Sequence, residues 1–187
     1  MTNKKIEVLI KKNNKGIHLD IGCGENKQQG FVGIDYRKLL NVDIVHNLEK
    51  FPWPLPDESC SLAIASHIVE HIDPRNGKFI DFMNEVWRIM KYDGEFAIAT
   101  PYAGSSGFWQ DPTHINGCNE TTWSYFTPLD KLTQGQLYKI YRPLPWKIKI
   151  NTWHVEGNLE VVLIKQRIDK SYNVDKEALK KIHARKK

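Results

Sequence analysis

The residues with the clearest chemical role lie at the ends of two apolar runs. The first run, 16–21, leads directly into a loop that contains Gly22 and Gly24, and the second run ends at Asp35. Glycine lets the backbone turn sharply and approach a ligand closely, and an acidic residue at the end of the next strand is placed to accept hydrogen bonds from ribose hydroxyls. The sequence therefore predicts a binding site for a cofactor that contains a nucleotide.

A second group of residues matches a metal-binding pattern. His67, Glu70 and His71 follow the order H-x-x-E-H of inverted zinc metalloproteases. That motif functions on a helix, where both histidines share one face, and it needs a further ligand downstream. Here it directly follows the apolar run 62–66, so His67 is expected at the end of a strand. We therefore expect no metal ion, and we interpret Glu70 and His71 as the start of a helix.

The elements that position these residues follow from apolar runs that alternate with helical patterns, which predicts an α/β fold with a mostly parallel sheet. Seven runs are expected to form strands: 16–21, 31–35, 42–46, 62–66, 95–100, 147–153 and 159–164. Apolar residues recur at helical spacing over 79–90, until Asp93 and Gly94 interrupt the pattern. Gly157 and Asn158 separate the last two runs and predict a closing hairpin, so the last strand is expected to be antiparallel.

The connection between the first two strands is unusually short. Only the residues between Gly24 and Phe31 are available for it, whereas a parallel crossover usually needs a dozen or more residues with a helix. The first crossover helix is therefore expected to be shortened to a turn. Lys27 also stands where the dinucleotide-binding pattern Gly-x-Gly-x-x-Gly has its third glycine, which disfavours a pyrophosphate held at a helix N-terminus. An NAD-type oxidoreductase remains an alternative, but a cofactor without phosphates is favoured.

The order of these motifs resembles that of class I S-adenosylmethionine (SAM)-dependent methyltransferases, most closely the small type 11-like group. The segments that carry the resemblance are 19–24, 33–35, 47–48, 51–52, 57–59 and 65–72. The similarity is strong from about residue 16 to residue 101 and weaker beyond. It implies a Rossmann-like α/β fold, SAM as the cofactor and methyl transfer as the activity.

The resemblance also implies which residues bind the cofactor. They are Asp20, Gly22, Cys23, Gly24, Asp35, Tyr36, Asn47, Leu48 and Ser66. By this resemblance the loop that follows Asp20 lies under the methionine moiety, Asp35 takes the ribose hydroxyls, and Asn47 and Leu48 flank the adenine. Ser66 lies beside the transferred methyl group. Asn47 stands where an acidic residue is usual, so it keeps an acceptor and gains a donor.

Three residues are candidates for catalysis: His67, His114 and Asp111. A general base is needed only where the methyl acceptor is protonated at neutral pH. His67 closes the fourth strand, and open α/β sheets bind ligands at the carboxyl ends of their strands, so it is the better placed histidine. An orienting or structural role is the alternative for His67. For Asp111 and His114 the alternative is a proline turn, capped by Asp111, with His114 exposed.

A segment rich in glycine and aromatic residues follows the fifth strand. It includes residues 104–109 and continues through Trp123, Tyr125 and Phe126. Long structured loops at this position tend to be functional, so we expect the acceptor pocket here. The alternative is an irregular hydrophobic cover packed on the edge of the sheet. The acceptor itself is expected to be a small polar molecule.

The positive charge of the chain is concentrated at its two ends. Residues 1–15 carry a net charge of +4 and residues 170–187 carry +5, which leaves 16–169 at −4 because the whole chain carries +5. We therefore divide the chain into a basic N-terminal arm over 1–15, a methyltransferase domain over 16–169 and a basic C-terminal tail over 170–187. A nucleic acid bound through the basic ends is an alternative partner.

The remaining features favour a cytoplasmic protein that does not bind membranes. Cys23, Cys60 and Cys118 are widely separated, which is typical of reduced thiols rather than disulfides or a zinc site. No run approaches the roughly 18 apolar residues of a membrane span. A protein that keeps the fold and binds the cofactor without turnover is a further alternative to an enzyme.

Overall fold

The structure is a computed structural model, which describes residues 3–12, 15–130 and 142–168. Its described strands are β1 Ile17–Ile21, β2 Val32–Asp35, β3 Ile44–Val45, β4 Cys60–Ser66, β5 Met90–Pro101, β6 Trp146–Trp153 and β7 Asn158–Lys165. The α-helices are α1 Asn3–Lys12, α2 Lys78–Ile89, α3 Ser106–Trp109 and α4 Glu120–Ser124, and two 3₁₀-helices cover Val69–His71 and Arg75–Gly77. None of the described helices is long and apolar enough to cross a membrane.

All described strands belong to one sheet, and its order confirms the predicted fold. The order is β3-β2-β1-β4-β5-β7-β6, seven strands in all. The pairs from β3 to β5 are parallel, and β7 runs antiparallel to both β5 and β6. Because the order reverses between β1 and β4, a crevice is expected outside the carboxyl ends of these two strands, where such sheets bind ligands.

The first crossover is a turn, as predicted from its length. β1 and β2 pair in parallel, with Leu19 beside Val32, although no helix forms between them. The side chain of Asp20 bridges the turn, because its Oδ2 accepts a hydrogen bond from the N–H of Gln28 at 2.8 Å. Gly22 then donates its N–H to the carbonyl of Ile34 at 2.8 Å. Hydrogen bonds therefore replace the missing helix in joining the two strands.

The predicted start of the fifth strand is wrong. Asp93 and Gly94 suggest a break before a strand at residue 95, but β5 begins at Met90, directly after α2, and Met90 pairs with Cys60. Asp93 adopts a φ of 63°, and the register shifts between Cys60 and Leu62. The two residues thus form a bulge inside the strand, which bends it without ending it. β3 is also shorter than its predicted range, 42–46.

Helix α2 covers the sheet with a continuous apolar face. Its buried apolar residues are Phe79, Phe82, Met83, Val86, Trp87 and Ile89. Each buried side chain of this size contributes about 1.5–3 kcal/mol relative to an exposed one. The helix carries its own polar anchor, since Arg88 contacts Glu85 at 2.6 Å and Asp57 at 2.8 Å. The end of helix α2 is thereby joined to the segment that precedes β4.

The two ends of the chain differ in what the structure describes. In the predicted N-terminal arm, residues 3–12 form α1, and Ile6 of that helix is buried in the hydrophobic core. The predicted C-terminal tail, 170–187, lies outside the described residues. The division of the chain at residues 15 and 169 stays a prediction.

Candidate functional site

The glycine loop after β1 depends on glycine at two positions. Gly22 and Gly24 have φ values of 70° and 53°, which side chains rarely adopt. A Cβ at Gly22 would lie 2.5 Å from Cγ1 of Ile68, so this glycine lets the loop pack against the segment after β4. A Cβ at Gly24 would meet only the guanidinium end of Arg37, at 3.2 Å. Gly22 therefore serves packing, while Gly24 leaves the backbone open.

Asp35 fastens this loop to the end of β2. Its carboxylate is buried, and Oδ2 accepts the N–H of Gly24 at 2.9 Å. Oδ1 accepts the backbone N–H of Arg37 at 2.9 Å and its Nε–H at 3.3 Å. The Arg37 side chain is about half exposed, so it lies between the carboxylate and solvent. A ribose hydroxyl that approaches Asp35 would replace the Arg37 side chain at Oδ1.

The adenine positions implied by the resemblance line a cavity. Tyr36, Asn47 and Leu48 contribute to a space of about 210 Å³. Ile68, His71 and Ile72 close it on the side of β4. Asn47 Oδ1 accepts a hydrogen bond from the backbone N–H of Glu49 at 2.9 Å. The side-chain oxygen is therefore already bonded, and the NH₂ group of Asn47 is left as a donor. The cavity thus combines apolar side chains with the Asn47 amide and the polar side chains of Tyr36, Glu49 and His71.

Asp20 and Cys23 have structural contacts in this half of the site. Burial raises the pKa of Asp20, against the effect of its hydrogen bond from Gln28. Burial and the nearby Asp20 raise the pKa of Cys23 to about 11, so its thiol is neutral at physiological pH. A Cβ at Gly33 would lie 2.6 Å from the Cys23 sulfur, so the thiol packs against that glycine. Cys23 therefore packs within the loop, and its role in cofactor binding stays a prediction.

His67 lies directly after β4 in an unusual backbone conformation. Ser66 ends the strand and is exposed, and His67 follows with a φ of 51°. Non-glycine residues rarely adopt such angles, and those that do cluster at functional sites. The N–H of His67 donates to the carbonyl of Ala99 at 2.8 Å, which fixes the turn to β5. The His67 side chain, half exposed, is thereby held at the carboxyl edge of the sheet.

Glu70 is the centre of the site on this side, and the sequence did not predict its role. Its carboxylate is fully buried, and Oε2 accepts the hydroxyl hydrogen of Thr100 at 3.1 Å. Oε1 lies 3.3 Å from Nδ1 of His67, a contact that raises the pKa of that histidine. The His67 N–H is not well aligned with this oxygen, and among the described residues Oε1 has no hydrogen-bond partner. The expected helix start is a single 3₁₀ turn, since Ile72 is already extended.

The loop after β5 folds back onto Glu70. The backbone N–H groups of Ile115 and Asn116 donate to the Glu70 carbonyl at 2.9 and 3.0 Å. His114 is thereby brought to the same carboxylate, with Nε2 4.0 Å from Glu70 Oε1. The His114 side chain is only 8% exposed, so the alternative of an exposed histidine is wrong. The two histidines with a claim on catalysis, His67 and His114, therefore share one buried carboxylate.

Asp111 forms the turn that the sequence suggested. Its Oδ1 accepts the backbone N–H and the hydroxyl hydrogen of Thr113 at 2.8 and 2.7 Å. These bonds lower the pKa of Asp111. Its Oδ2 lies 3.8 Å from Nε2 of His114. The ring of His71 packs edge-on against His114, with the ring centroids 4.8 Å apart. The H-x-x-E-H residues and His114 thus form one cluster, although the spacing of the motif is not helical here.

Solved structures of known proteins agree with this architecture. No protein-family model matches the chain, and the comparison with curated proteins gives no match. Among solved structures, a SAM-dependent methyltransferase from Archaeoglobus fulgidus is 19% identical with a TM-score of 0.52, over 86% of this chain and 94% of that one. A putative type 11 methyltransferase from Sulfolobus solfataricus is 15% identical with a TM-score of 0.51, over 92% and 96%.

A methyltransferase that acts on RNA has the same fold. A mutant of the 16S rRNA (adenine(1408)-N(1))-methyltransferase from Catenulisporales acidiphilia, with the cosubstrate SAM, is 10% identical with a TM-score of 0.56, over 91% of this chain and 94% of that one. At these identities the likeness shows the fold alone. The chain has the Rossmann-like fold of class I SAM-dependent methyltransferases, built on one sheet of seven described strands.

Proposed function

We propose that this chain is a SAM-dependent methyltransferase that binds SAM at the carboxyl ends of β1 and β2. The observation that carries this proposal is the buried Asp35 carboxylate, hydrogen-bonded to the N–H of Gly24 in the loop after β1. The bond joins two predicted cofactor positions beside the point where the strand order reverses. The likeness in fold to several SAM-dependent methyltransferases supports SAM as the nucleotide cofactor.

Each part of SAM has residues on this edge that suit it. The methionine moiety lies on the loop after Asp20, where Gly24 leaves the backbone open. The ribose hydroxyls donate to Asp35. Of the three hydrogen bonds that Asp35 accepts, the one from the half-exposed Arg37 side chain is the one they replace. The adenine enters the cavity beside Leu48, where the Asn47 amide donates to a ring nitrogen. Ser66 ends β4 on the side of the methyl group.

His67 is the residue that we assign to the acceptor. SAM supplies a methyl group that its sulfonium already activates, so the protein has to align the acceptor with the methyl carbon and exclude water. Nδ1 of His67 faces the Glu70 carboxylate, which leaves Nε2 toward the half-exposed side of the ring. Nε2 accepts the proton of an acceptor hydroxyl or amine that would otherwise be a poor nucleophile. Glu70 orients this imidazole.

The structure offers little for a dinucleotide. In NAD-type proteins a helix begins at the glycine loop and its N-terminus binds the pyrophosphate. Within the described residues of the first crossover there is no helix, and the Lys27 ammonium instead pairs with Asp43 at 2.7 Å. These features support a cofactor without a pyrophosphate over NAD.

Calorimetric titration tests the cofactor class directly. The full chain is titrated separately with S-adenosylhomocysteine and with NADH. We expect saturable heat with S-adenosylhomocysteine and none with NADH. Binding of NADH in the absence of S-adenosylhomocysteine binding would overturn the proposal in favour of an oxidoreductase. A protein that binds S-adenosylhomocysteine but yields no methylated product with any acceptor would be a binding protein without turnover.

We further propose a small polar acceptor, because residues 16–169 carry a net charge of −4, which disfavours polyanions near the site. The basic ends keep a nucleic-acid acceptor as the second candidate. The test is titration of a fluorescent RNA oligonucleotide with the full chain and with a variant that ends at residue 169. If RNA is the acceptor, removal of 170–187 weakens binding and flattens its salt dependence. If the acceptor is small, neither protein binds RNA at physiological salt.

A further inference from the structure

The carboxylate oxygen Glu70 Oε1 is buried and lacks a hydrogen-bond partner among the described residues. A buried carboxylate without partners costs free energy, so natural proteins pair such groups or use them to bind a cation. Two histidines lie near this oxygen, His67 at 3.3 Å and His114 at 4.0 Å, and His71 packs on His114. The oxygen therefore points into a cluster of imidazoles that is built into the fold.

The tautomer of His114 follows from its hydrogen-bond partner. Nδ1 of His114 lies 2.8 Å from the carbonyl oxygen of Phe108. A carbonyl only accepts, so Nδ1 carries a proton and donates it. In the neutral imidazole Nε2 is then an acceptor, and this is the atom that faces Glu70 Oε1. Two acceptors would then face each other across 4.0 Å, with Asp111 Oδ2 3.8 Å from the same nitrogen, an arrangement that a metal ion or a proton would satisfy.

The tautomer of His71 likewise follows from its hydrogen-bond partners. Its Nδ1 lies 3.3 Å from the carbonyl of Thr113 and 3.1 Å from the Thr113 hydroxyl oxygen. The hydroxyl donates its own hydrogen to Asp111 at 2.7 Å, so toward His71 it is an acceptor. Nδ1 of His71 therefore carries the proton, and Nε2 is left as the free ligand atom. Metal-binding histidines typically donate their other N–H to a carbonyl or carboxylate in this way.

We propose that Glu70, His71 and His114 bind a divalent transition-metal ion. One ligand atom from each residue lies within 4.8 Å of the others. Ligand atoms around a tetrahedral Zn²⁺ are about 3.3 Å apart, as follows from bonds of roughly 2.0–2.2 Å, so movements of about 1 Å bring the three atoms to bonding distance. Two imidazoles and one carboxylate suit Zn²⁺, Fe²⁺ or Mn²⁺, and they disfavour Mg²⁺, which prefers oxygen ligands. This replaces our expectation from the sequence that no metal binds.

The backbone around the cluster supports such a site. The loop that carries His114 is held to the segment with Glu70 by the two N–H donors to the Glu70 carbonyl, and the Asn116 amide donates to the carbonyl of Val69 at 2.9 Å. Thr100 holds the second oxygen of Glu70 at 3.1 Å. These bonds fix two of the three ligands relative to each other before any ion arrives.

A metal site here has a consequence for methyl transfer, and this consequence rests on the proposed function. Three protein ligands leave coordination positions open, as in catalytic zinc sites. A hydroxyl oxygen of the acceptor bound there loses its proton more readily, because the cation stabilises the resulting oxygen anion. His67 lies beside Glu70 and receives that proton at Nε2. The acceptor class that this arrangement fits is a hydroxyl compound.

Metal binding is tested without any cofactor or acceptor. The full chain is freed of metal with a chelator and then titrated with Zn²⁺ by calorimetry and with Co²⁺ by visible absorption. We expect a single equivalent of Zn²⁺ to bind and Co²⁺ to give the absorption bands of nitrogen and oxygen ligands, whereas Mg²⁺ binds far more weakly.

Variants decide whether the ion occupies the proposed site. Glu70→Gln, His71→Ala and His114→Ala each remove a ligand, and we expect each to weaken Zn²⁺ binding by roughly 100-fold or more, beyond the loss typical of an outer partner. His154→Ala is the matched control, since His154 also lies next to a carboxylate, Glu160 at 3.3 Å. Circular dichroism checks that each variant is folded.

Two results would overturn the metal proposal. The first is no Zn²⁺ binding by the wild-type chain, which would mean that a proton shared between Glu70 and His114 satisfies the pair. The second is binding that none of the three ligand variants weakens relative to His154→Ala. Neither result depends on S-adenosylhomocysteine, whose separate titration tests the proposed function.

Discussion

Two carboxylates at the same edge of the sheet differ in their hydrogen bonding. They belong to Asp35, which ends β2, and to Glu70, which follows β4. Both oxygens of Asp35 accept hydrogen bonds, from Gly24 and from Arg37. Glu70 is more deeply buried, yet its Oε1 lacks a hydrogen bond from the described residues. At the edge formed by β1 and β2 the protein thus supplies hydrogen bonds to both carboxylate oxygens. At the edge formed by β4 and β5 the described residues supply one to only one of the two oxygens.

This difference separates a preformed site from one that a ligand completes. The contacts of Asp35 hold a loop, so they persist without ligand and present a fixed surface to the cofactor. The Glu70 cluster keeps one buried carboxylate oxygen without a hydrogen bond from the described residues and a histidine at a φ of 51°, features that cost free energy and persist only where the surrounding structure imposes them. In our proposal the first edge therefore binds the cofactor, and the second edge carries the residues that act on the acceptor.

The largest effect is expected in the cofactor loop. Gly24→Val places a branched side chain where we propose that the methionine moiety passes and forces it to a φ of 53°, so S-adenosylhomocysteine binding should be lost. Gly30→Val is the matched control, because Gly30 has a φ of 83° in the same crossover and open space around it. Calorimetry on both variants separates ligand contact from backbone strain. Normal binding by Gly24→Val would contradict the account of this edge.

Gly22 is less informative for this purpose. A side chain there collides with Ile68, since even a Cβ would be 2.5 Å from it. Gly22→Val is therefore expected to disturb the packing between the two edges, and its loss of binding would not identify a ligand contact.

His67 tests the second edge. His67→Asn keeps the left-handed backbone conformation, which asparagine tolerates, but it cannot take up a proton near neutral pH. Once an acceptor is known, we expect kcat to fall by roughly 10²–10⁴-fold with S-adenosylhomocysteine affinity unchanged. Full activity of His67→Asn would reduce the histidine to a positioning role. If His114→Ala lowers kcat while His67→Asn does not, the catalytic base is on the loop after β5.

Asp35 is expected to have an intermediate effect. Asp35→Ala removes the acceptor of the ribose hydroxyls together with the bond to Gly24, so S-adenosylhomocysteine should bind about 2–3 kcal/mol more weakly, or roughly 30- to 150-fold. Arg37→Ala is the companion variant, because it frees Oδ1 from the Nε–H of Arg37 without moving the carboxylate. It should bind at least as tightly as wild type. An unchanged affinity for Asp35→Ala would place the nucleotide elsewhere.

The smallest expected effect is the change in the free energy of unfolding when each of the two carboxylates is replaced by an amide. In metal-free protein, Glu70→Gln replaces a buried carboxylate, one oxygen of which lacks a hydrogen bond from the described residues, with a neutral amide, and we expect it to raise the free energy of unfolding by about 1 kcal/mol. Asp35→Asn should lower it, since one oxygen that accepts hydrogen bonds becomes a donor. Urea denaturation measures both. Equal destabilisation by the two substitutions would mean that Glu70 is as well paired as Asp35.

The sequence predicts the first edge better than the second, for a physical reason. The glycine loop, Asp35 and the short crossover belong to neighbouring strands, so their arrangement follows from chain length and strand pairing. The role of Glu70 depends on the loop after β5 folding back over it, with His114 buried rather than exposed. No local pattern indicates that return.

The start of β5 shows the same limit on a smaller scale. Asp93 and Gly94 are typical of a turn between two elements. The pairing of Met90 with Cys60, however, keeps both residues in the strand as a bulge. Local preference is overridden here by the hydrogen bonds of the neighbouring strand.

The signal that was available for Glu70 was the H-x-x-E-H order itself, together with a third histidine after the fifth strand.

The central claim is that this chain binds SAM, and native mass spectrometry of gently purified protein tests it most directly. We expect a complex whose extra mass equals that of SAM or S-adenosylhomocysteine, and we expect Gly24→Val purified in parallel to lack it. Wild-type protein that carries a dinucleotide instead, or that takes up neither compound when SAM is added in excess, would contradict the account.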